Sequence, residues 1–333
     1  MKNIILTGAT SMLGVSLINE CIKHEINIYA LVRRHSGKIN RIPESKFINI
    51  IECDLSELEN LSGLPDCEVF YHFGWEATNK AGRNDPESQA INIIHSIKAA
   101  RLAKKFHCQK FIFAGSQAEY GIHEEEFTTP ETYANPITAY GISKLAAGKL
   151  CALECRNLSI NFAHVRIFST YGINDSSESM IISTLKKLIH NEHCSLTQGI
   201  QKWDYLYCDD AARAFYLLGE SDSYKSEIYC LGSGQSQTIK YYIQAMKEIT
   251  GSKSELGFGE VPYINNVPPS MCADISKLTR DTGFKPSINF SDGINKIVKI
   301  TYGGGYYRLV INKASALSNN IFTFTGRAAE NAA

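Results

Sequence analysis

Hydrophobic residues in the first half of the chain fall into short runs, and longer segments of helical period separate these runs. The runs are rich in β-branched and aromatic residues, which is typical of buried strands. We predict strands at Asn3 to Leu6, Asn27 to Val32, Phe47 to Glu52, Glu68 to Phe73, Lys110 to Ala114 and Asn161 to Ile167. The segments between them predict helices, most clearly at Met12 to Lys23, Glu87 to Lys105 and Ala139 to Cys155.

Strands that alternate with helices form right-handed βαβ units, so this pattern predicts a doubly wound α/β fold with a parallel sheet covered on both faces. We expect that domain over residues 1–166, with a return of the chain to it at about 204–232. The pattern is looser elsewhere and predicts a smaller mixed α/β domain, over residues 167–203 and 233–300, that binds a substrate. Residues 301–333 match no element and are left unassigned.

Composition narrows the classes of function. The chain has 333 residues, 44% of them hydrophobic, with 34 Lys and Arg against 34 Asp and Glu. This balance provides no global attraction to nucleic acid or to an anionic membrane. Ten single cysteines without zinc spacing predict reduced thiols, no metal site and a cytoplasmic location. No apolar run suits a signal peptide or a membrane span.

The stretch TGATSMLG, which follows the first strand, predicts a phosphate-binding turn. Backbone N–H groups and the positive end of a helix dipole would face an anion there. Gly8 permits the tight turn, Gly14 lets the helix pack closely, and the small Ser11 stands where a third glycine is common. The predicted cofactor contacts in this turn are Gly8, Thr10, Ser11, Met12, Leu13 and Gly14.

The end of the second strand bears on the choice of cofactor. A carboxylate that holds the adenosine ribose is usual there in an NAD site, whereas this chain has Arg33 and Arg34. Two guanidinium groups suit a ribose 2′-phosphate, so the sequence favours NADP over NAD. A solvated pair of surface arginines is the alternative interpretation.

Three residues are candidates for the chemistry. Ser116 follows the fifth predicted strand, at the sheet edge where open α/β folds bind ligands. Tyr140 and Lys144 lie four residues apart on a predicted helix and therefore share a face. An ammonium near a phenol favours the phenolate, so we expect Lys144 to lower the pKa of Tyr140.

Together these motifs resemble those of the extended short-chain dehydrogenases/reductases, the branch with nucleotide-sugar epimerases, dehydratases and ketoreductases. The resemblance runs from Lys2 to about Lys299 and includes Cys53-Asp54-Leu55, Tyr71-His-Phe-Gly74, Arg166-Ile-Phe-Ser-Thr-Tyr-Gly172 and Trp203-Asp-Tyr-Leu-Tyr-Cys-Asp-Asp210. It implies that Tyr140 is the general acid/base, that Lys144 tunes it and binds the nicotinamide ribose, and that Ser116 binds the reacting oxygen. Further implied cofactor contacts are Arg33, Arg34, Asp54, Leu55, Phe73, Gly74, Asn92, Tyr140, Lys144 and Phe168.

The departures from the family pattern bear on the substrate. Gln117 and Ala118 replace the acidic pair of the dehydratases, which counts against elimination of water, and Glu119 comes one position too late. Ser169 replaces an expected asparagine and Trp203 a common arginine, so recognition of the diphosphate and the base should differ. The implied substrate contacts are Trp75, Gln117, Ser169 and Trp203.

Three functions remain open from the sequence. The first is an NADPH-dependent reductase of a 4-keto-deoxy nucleotide-sugar, which the two arginines favour. The second is a nucleotide-sugar 4-epimerase that uses the same three residues with tightly bound NAD. The third is a non-catalytic NADP-binding sensor or scaffold. The resemblance also implies a homodimer in which the helices at Glu87 to Lys105 and Ala139 to Cys155 form a four-helix bundle.

Overall fold

The computed structural model of this chain describes residues 1–122, 126–263 and 270–303. The chain forms two compact units: the first contains the described residues of Met1–Asn174, Gln201–Gln237 and Val267–Ile288, and the second those of Asp175–Ile200, Thr238–Asn266 and Asn289–Ala333. The assignment of cofactor and substrate domains to residue ranges stays a prediction. Of the unassigned segment 301–333, residues 304–333 lie outside the described part.

A seven-stranded parallel sheet forms the centre of the first unit, in the order β12–β7–β5–β4–β1–β2–β3. Reversal of the strand order on either side of β1 is the mark of a doubly wound, Rossmann-type sheet, as the sequence predicts. In chain order the described strands are β1 Asn3–Thr7, β2 Asn27–Val32, β3 Ile48–Glu52, β4 Val69–His72, β5 Lys110–Ser116, β6 Phe127–Thr128, β7 Asn161–Ile167, β8 Ser169–Tyr171, β9 Cys194–Leu196, β10 Lys202–Trp203, β11 Tyr205–Tyr207, β12 Ser226–Leu231, β13 Gln237–Thr238, β14 Leu256–Phe258 and β15 Cys272–Ala273.

The helices follow the strands as the βαβ pattern requires. They are α1 Met12–Lys23, α2 Pro86–Lys105, α3 Ala139–Asn157, α4 Met180–Ile189, α5 Cys208–Glu220, α6 Ile239–Thr250 and α7 Ser276–Thr282, with a further helix over residues 290–303. Short 3-10 turns occupy Ile39–Arg41, Leu55–Asn60, Gly82–Asn84 and Gln117–Glu119. Within the described residues, no helix combines the length and apolar character needed to cross a bilayer.

The two faces of the sheet pack against different helices, because alternate residues of a strand point to opposite sides. Ile4 and Leu6 of β1 belong to a core cluster that also holds apolar residues of α1 and α5. Ile5, between them, belongs to a second cluster with residues of α2 and α3. All these side chains are fully buried, so the sheet is covered on both faces as predicted.

The first half of the chain was predicted closely. β2, β7 and α1 have the predicted bounds, and α2 and α3 differ by two residues at most. None of the later elements was predicted, and among them β12 extends the central sheet beyond β7. In the second unit α4 packs against α6, and β9 pairs in parallel with β14.

Candidate active site

The carboxyl edge of the sheet carries Ser116, the last residue of β5. In the register of β5 with β7, Ser116 lies opposite Ile167. Its hydroxyl accepts a hydrogen bond from the backbone N–H of Ala118 at 3.2 Å, and its own N–H donates to Glu119 Oε1 at 2.8 Å. These two reciprocal bonds form a capping box at the start of the 3-10 turn that follows, and they fix the direction of the Ser116 side chain.

Tyr140 lies in the first turn of α3. The helix begins there because the Thr138 hydroxyl accepts a hydrogen bond from the Gly141 N–H at 3.1 Å. The phenol ring is nearly perpendicular to the Trp75 ring, with 6.1 Å between the two centroids. Burial raises the pKa of Tyr140 above its ordinary value, although the Arg83 charge and the Ser116 hydroxyl act in the opposite direction.

Lys144 is buried, and its ammonium group contacts the backbone of β5 and the Trp75 ring. Lys144 Nζ donates a hydrogen bond to the Ala114 carbonyl at 2.7 Å and lies 3.7 Å from the centroid of the Trp75 ring. Its distance to the centroid of the Tyr140 ring is 5.9 Å. Burial lowers the pKa of Lys144 to about 7.

The prediction that the pKa of Tyr140 is lowered is wrong. A shared helix face brings the two side chains near each other, and the Lys144 ammonium bonds the Ala114 carbonyl of β5 and lies on the Trp75 ring. The pKa of Tyr140 lies above its ordinary value rather than below it, because burial disfavours the phenolate.

Lys144 lies on the Trp75 ring, and Trp75 is itself held by Gln89, a residue that was not predicted from the sequence. Trp75 Nε1 donates to Gln89 Oε1 at 2.8 Å, and Gln89 Nε2 donates to the carbonyls of Ala77 and Gly82 at 2.9 Å. Gln89 is fully buried on α2. A glutamine on the apolar face of a predicted helix was the signal available in the sequence.

Asn92 secures the same loop one turn further along α2. Its side-chain oxygen accepts from the Glu76 N–H at 2.7 Å, and its amide donates to the carbonyls of Glu76 and Ser88. These bonds place Asn92 under the loop that follows β4. Its predicted contact with a cofactor stays a prediction.

His72, at the end of β4, joins this loop to the first strand. Its Nδ1 lies 2.9 Å from Thr7 Oγ1, and its Nε2 lies 3.1 Å from Ser96 Oγ. The Thr7 hydroxyl also accepts from the Gly74 N–H at 3.0 Å. Burial lowers the pKa of His72 to about 3, so the ring is neutral and structural.

Glu119 is fully buried and forms part of an ionic network. Its carboxylate accepts from Arg166 Nε at 2.8 Å and lies 3.0 Å from His164 Nε2. Burial alone would raise the pKa of Glu119, but His164 and Arg166 outweigh it and hold the pKa below its ordinary value. Glu119 is therefore a buried carboxylate that is paired with two side chains of the protein itself.

The glycine turn has the geometry that the sequence indicates. Gly8 has φ +70°, and a Cβ there would lie within 2.8 Å of the Phe73 and Gly74 backbone. A Cβ on Gly14 would lie 2.3 Å from the Gly8 carbonyl oxygen, so only glycine lets α1 approach the turn this closely.

Ser11 has a structural function that the sequence analysis did not recognise. It is the N-cap of α1, and its hydroxyl accepts from the Gly14 N–H at 3.0 Å. Thr10 precedes this cap, and Met12 and Leu13 begin the helix, where backbone N–H groups have no partner within the helix. The turn therefore presents N–H donors as an anion site does.

The two arginines after β2 lie in different surroundings. Arg34 forms a salt bridge with Glu57 at 2.8 Å, and its backbone N–H donates to Asp54 Oδ1 at 3.2 Å. Arg33 is exposed, and its side chain has no hydrogen bond or ion pair with any residue that the structure describes. Asp54 precedes the 3-10 turn that Leu55 begins, so the four predicted residues are neighbours.

Two predicted substrate residues are brought together, since the Trp203 indole donates a hydrogen bond to the Ser169 hydroxyl. Ser169 begins β8, which pairs in parallel with β11. Gln117 is partly buried directly after Ser116. Phe168 packs in a core cluster with Tyr120 and Met271, so its side chain is buried, and its predicted contact with a cofactor stays a prediction.

Doubly wound topology, a glycine turn at the start of α1 and a Ser–Tyr–Lys group at the carboxyl edge define a short-chain dehydrogenase/reductase of the extended type. The chain belongs to the NAD dependent epimerase/dehydratase family, whose model matches residues 4–232. It is thus an enzyme of a family that uses a nicotinamide cofactor.

Similar proteins include both reductases and epimerases. The chain is 23% identical over 312 residues to the dTDP-4-dehydro-6-deoxyglucose reductase of Escherichia coli, covering 90% of this chain and 97% of the relative. It superposes on the UDP-glucose 4-epimerase of Thermotoga maritima, solved with UDP-glucose, with a TM-score of 0.80 and 22% identity over 93% of this chain and 99% of that one. For the UDP-glucuronic acid 4-epimerase of Bacillus cereus, solved with NAD, the TM-score is 0.78 and the identity 21%, over 91% and 98% of the two chains.

Proposed function

We propose that this protein is an NADP(H)-dependent reductase of a 4-keto-deoxy nucleotide-sugar. The observation that carries the proposal is the end of β2, where Arg33 is exposed and without a side-chain partner among the described residues. A free guanidinium at this position suits a ribose 2′-phosphate, which NADP has and NAD lacks. The similarity to a 4-keto sugar reductase agrees with this choice.

The residues present fit a dinucleotide. Gly8 and Gly14 leave no room for a Cβ, so the turn brings the backbone N–H groups of α1 close to the sheet edge. Ser11 caps only the Gly14 N–H, which leaves Met12 and Leu13 as the donors for a pyrophosphate. Arg33, with Arg34, Asp54 and Leu55 beside it, would face the adenosine end.

When bound, the nicotinamide supplies the hydride to the carbonyl carbon of the sugar. The chain supplies the proton and the orientation. Tyr140 donates its phenolic proton to the carbonyl oxygen, which becomes the hydroxyl of the product, and Ser116 donates a hydrogen bond to the same oxygen. The raised pKa of Tyr140 keeps the phenol protonated at neutral pH, as a general acid requires.

Binding of the sugar nucleotide falls, in this proposal, to Trp75, Gln117, Ser169 and Trp203. The bond between Trp203 and Ser169 fixes both side chains, so they offer one indole face and one hydroxyl in a defined geometry. Neither residue carries a charge. Recognition through stacking and neutral hydrogen bonds is therefore expected where relatives use an arginine and an asparagine.

The test of the proposal follows NADPH absorbance with a panel of 4-keto nucleotide-sugars. Wild-type protein should consume NADPH with at least one of them, and Tyr140→Phe should reduce turnover by about 10²-fold or more, since the proton donor is lost while the ring stays. Near-normal turnover in Tyr140→Phe would remove Tyr140 from the mechanism. Wild-type protein that purifies with bound NAD, or binds NADH more tightly than NADPH, would contradict the NADP assignment.

A nucleotide-sugar 4-epimerase is the second candidate function. The observation in its favour is the fold similarity to two 4-epimerases over nine-tenths of the chain. It would use Ser116, Tyr140 and Lys144 with NAD that is retained between turnovers. Interconversion of two UDP-sugars without consumption of added NADPH would identify it.

For assembly we propose a homodimer through α2 and α3. These two helices pack on each other and share an exposed apolar surface. Burial of such a surface against a second copy would give the four-helix bundle that the family resemblance implies. Its residues are Ile91, Ile94, Ile142, Leu150 and Leu153.

A further inference from the structure

Arg83 is the cation whose guanidinium lies over the Tyr140 ring. Its Cζ is 4.7 Å from the ring centroid, whereas Lys144 Nζ is 5.9 Å away. Arg83 belongs to the 3-10 turn Gly82–Asn84 and is exposed. No motif in the sequence points to this residue.

The turn that carries Arg83 is held from several sides. Arg83 Nε donates to the Thr78 carbonyl at 3.0 Å, and the Gly82 N–H donates to Asn79 Oδ1 at 2.8 Å. Gln89, which also fixes Trp75, donates to the Gly82 carbonyl. The position of the guanidinium over the phenol is therefore built into the loop after β4.

The other charged groups around Tyr140 cannot substitute for Arg83. Glu119 is negative and already paired with Arg166, and its charge disfavours the phenolate. Lys144 is engaged by the Ala114 carbonyl and the Trp75 ring, and burial lowers its pKa to about 7, so its charge is easily lost. Of these groups, the Arg83 guanidinium is the cation nearer to the centroid of the Tyr140 ring.

We propose that Arg83 is a positioning residue that holds the Tyr140 ring and stabilises its phenolate, a function distinct from that of Lys144. Its catalytic consequence rests on the proposed function, because only a proton donor benefits from this control. The contact itself does not depend on which sugar is the substrate. A cation over an aromatic face attracts the ring, and it attracts the phenolate more strongly than the neutral phenol.

The direct test measures ionisation of residue 140 without any substrate. A fluorotyrosine incorporated in place of Tyr140 gives a ¹⁹F signal that reports ionisation, and fluorine lowers the intrinsic pKa so that the titration falls where the fold survives. Arg83→Gln should raise the pH of half-ionisation by about 0.5 to 1 unit, because an attractive charge about 5 Å away and partly screened by solvent is lost. Arg83→Lys should recover part of the change.

Lys80→Gln is the matched control. Lys80 is exposed in the same loop and, among the described residues, forms no hydrogen bond or cation–π contact with Tyr140, so its loss removes one charge without the ring contact. An unchanged half-ionisation pH in Arg83→Gln overturns the proposal, as does an equal rise in Lys80→Gln. Circular dichroism of each variant before titration separates these outcomes from unfolding.

The activity readout distinguishes this inference from the proposed function. With NADPH and a 4-keto nucleotide-sugar, reduction needs the protonated phenol, so its rate falls as pH rises through the pKa of Tyr140. Arg83→Gln should move that alkaline limb of kcat/KM to higher pH. If the protein reduces no such sugar, the proposed function fails while the ¹⁹F shift still stands. A ¹⁹F shift without movement of the limb limits Arg83 to holding the ring and overturns its catalytic consequence.

Discussion

Replacement of Arg33 by Ala should separate the affinities for NADPH and NADH. Arg33 has no competing side-chain partner among the described residues, so a 2′-phosphate would gain its charge-assisted hydrogen bonds in full. Such bonds contribute about 2 kcal/mol, which corresponds to about a thirtyfold change in Kd. NADH lacks the phosphate, so its Kd should stay the same.

Arg34→Ala should weaken the binding of NADPH less than Arg33→Ala does. The Arg34 guanidinium is paired with Glu57 at 2.8 Å and would have to exchange one anion for another. Glu57→Gln should have the opposite effect on NADPH binding, because it frees Arg34 and removes a negative charge. NADPH should then bind about two- to fivefold more tightly, since an exposed ion pair contributes about 0.5 to 1 kcal/mol.

Fluorescence titration with both dinucleotides at low salt measures these effects, since salt screens exposed charges. Arg101→Ala is a suitable control, because Arg101 is an exposed arginine whose bond to Glu154 lies between α2 and α3. An equal loss of NADH and NADPH binding in Arg33→Ala would refute the reasoning. Tighter binding of NADPH by Arg34→Ala would refute the assignment of Glu57 as its competitor.

The central sheet could be predicted because its signals are local. Each strand of the first half is a short apolar run, and each helix between them begins at a residue that caps it, such as Asp85 before Pro86 or Thr138 before Ala139. These features depend on neighbours in the sequence. The bounds of α1, β2 and β7 were accordingly predicted without error.

The second half of the chain was harder to predict from the sequence, because many of its strands are short and pair with distant segments. β15 pairs with β6, where Cys272 lies opposite Phe127, and both strands have only two residues. Two residues show no periodicity. Such a strand exists because its partner is already in place, and no local pattern can indicate that.

The same distinction applies within the active site. The sequence indicated Ser116, Tyr140 and Lys144 because their spacing and their place at the sheet edge can be read along the chain. It did not indicate that Lys144 would lie on Trp75, or that Glu119 would form an ion pair with Arg166, since these contacts depend on the tertiary structure. Residue type and spacing named the chemical groups, and tertiary packing decided which of them interact.

Three further predictions concern the helix cap, the dimer and the buried ion network. Because Ser11 is the N-cap of α1, Ser11→Gly should change the free energy of unfolding by only a few tenths of a kcal/mol, whereas Ser11→Ala should lower it by about 1 kcal/mol. Thermal unfolding measures both, and equal values would show that Ser11 does not stabilise the helix as its N-cap. Ile94→Glu with Leu153→Glu should convert a dimer to monomer in light scattering, whereas Ile300→Glu, at an exposed isoleucine elsewhere, should not. Glu119→Gln should destabilise the fold by about 3 to 5 kcal/mol, because Arg166 is left as a buried charge without its anion. The pKa of Glu119 is lower in the folded chain than in the unfolded one, so its stabilisation is complete above the unfolded pKa and is lost as pH falls through the folded value. Urea unfolding of wild type should therefore lose stability with acid more steeply than the variant does, and parallel pH dependences would show that Glu119 is not the group being protonated.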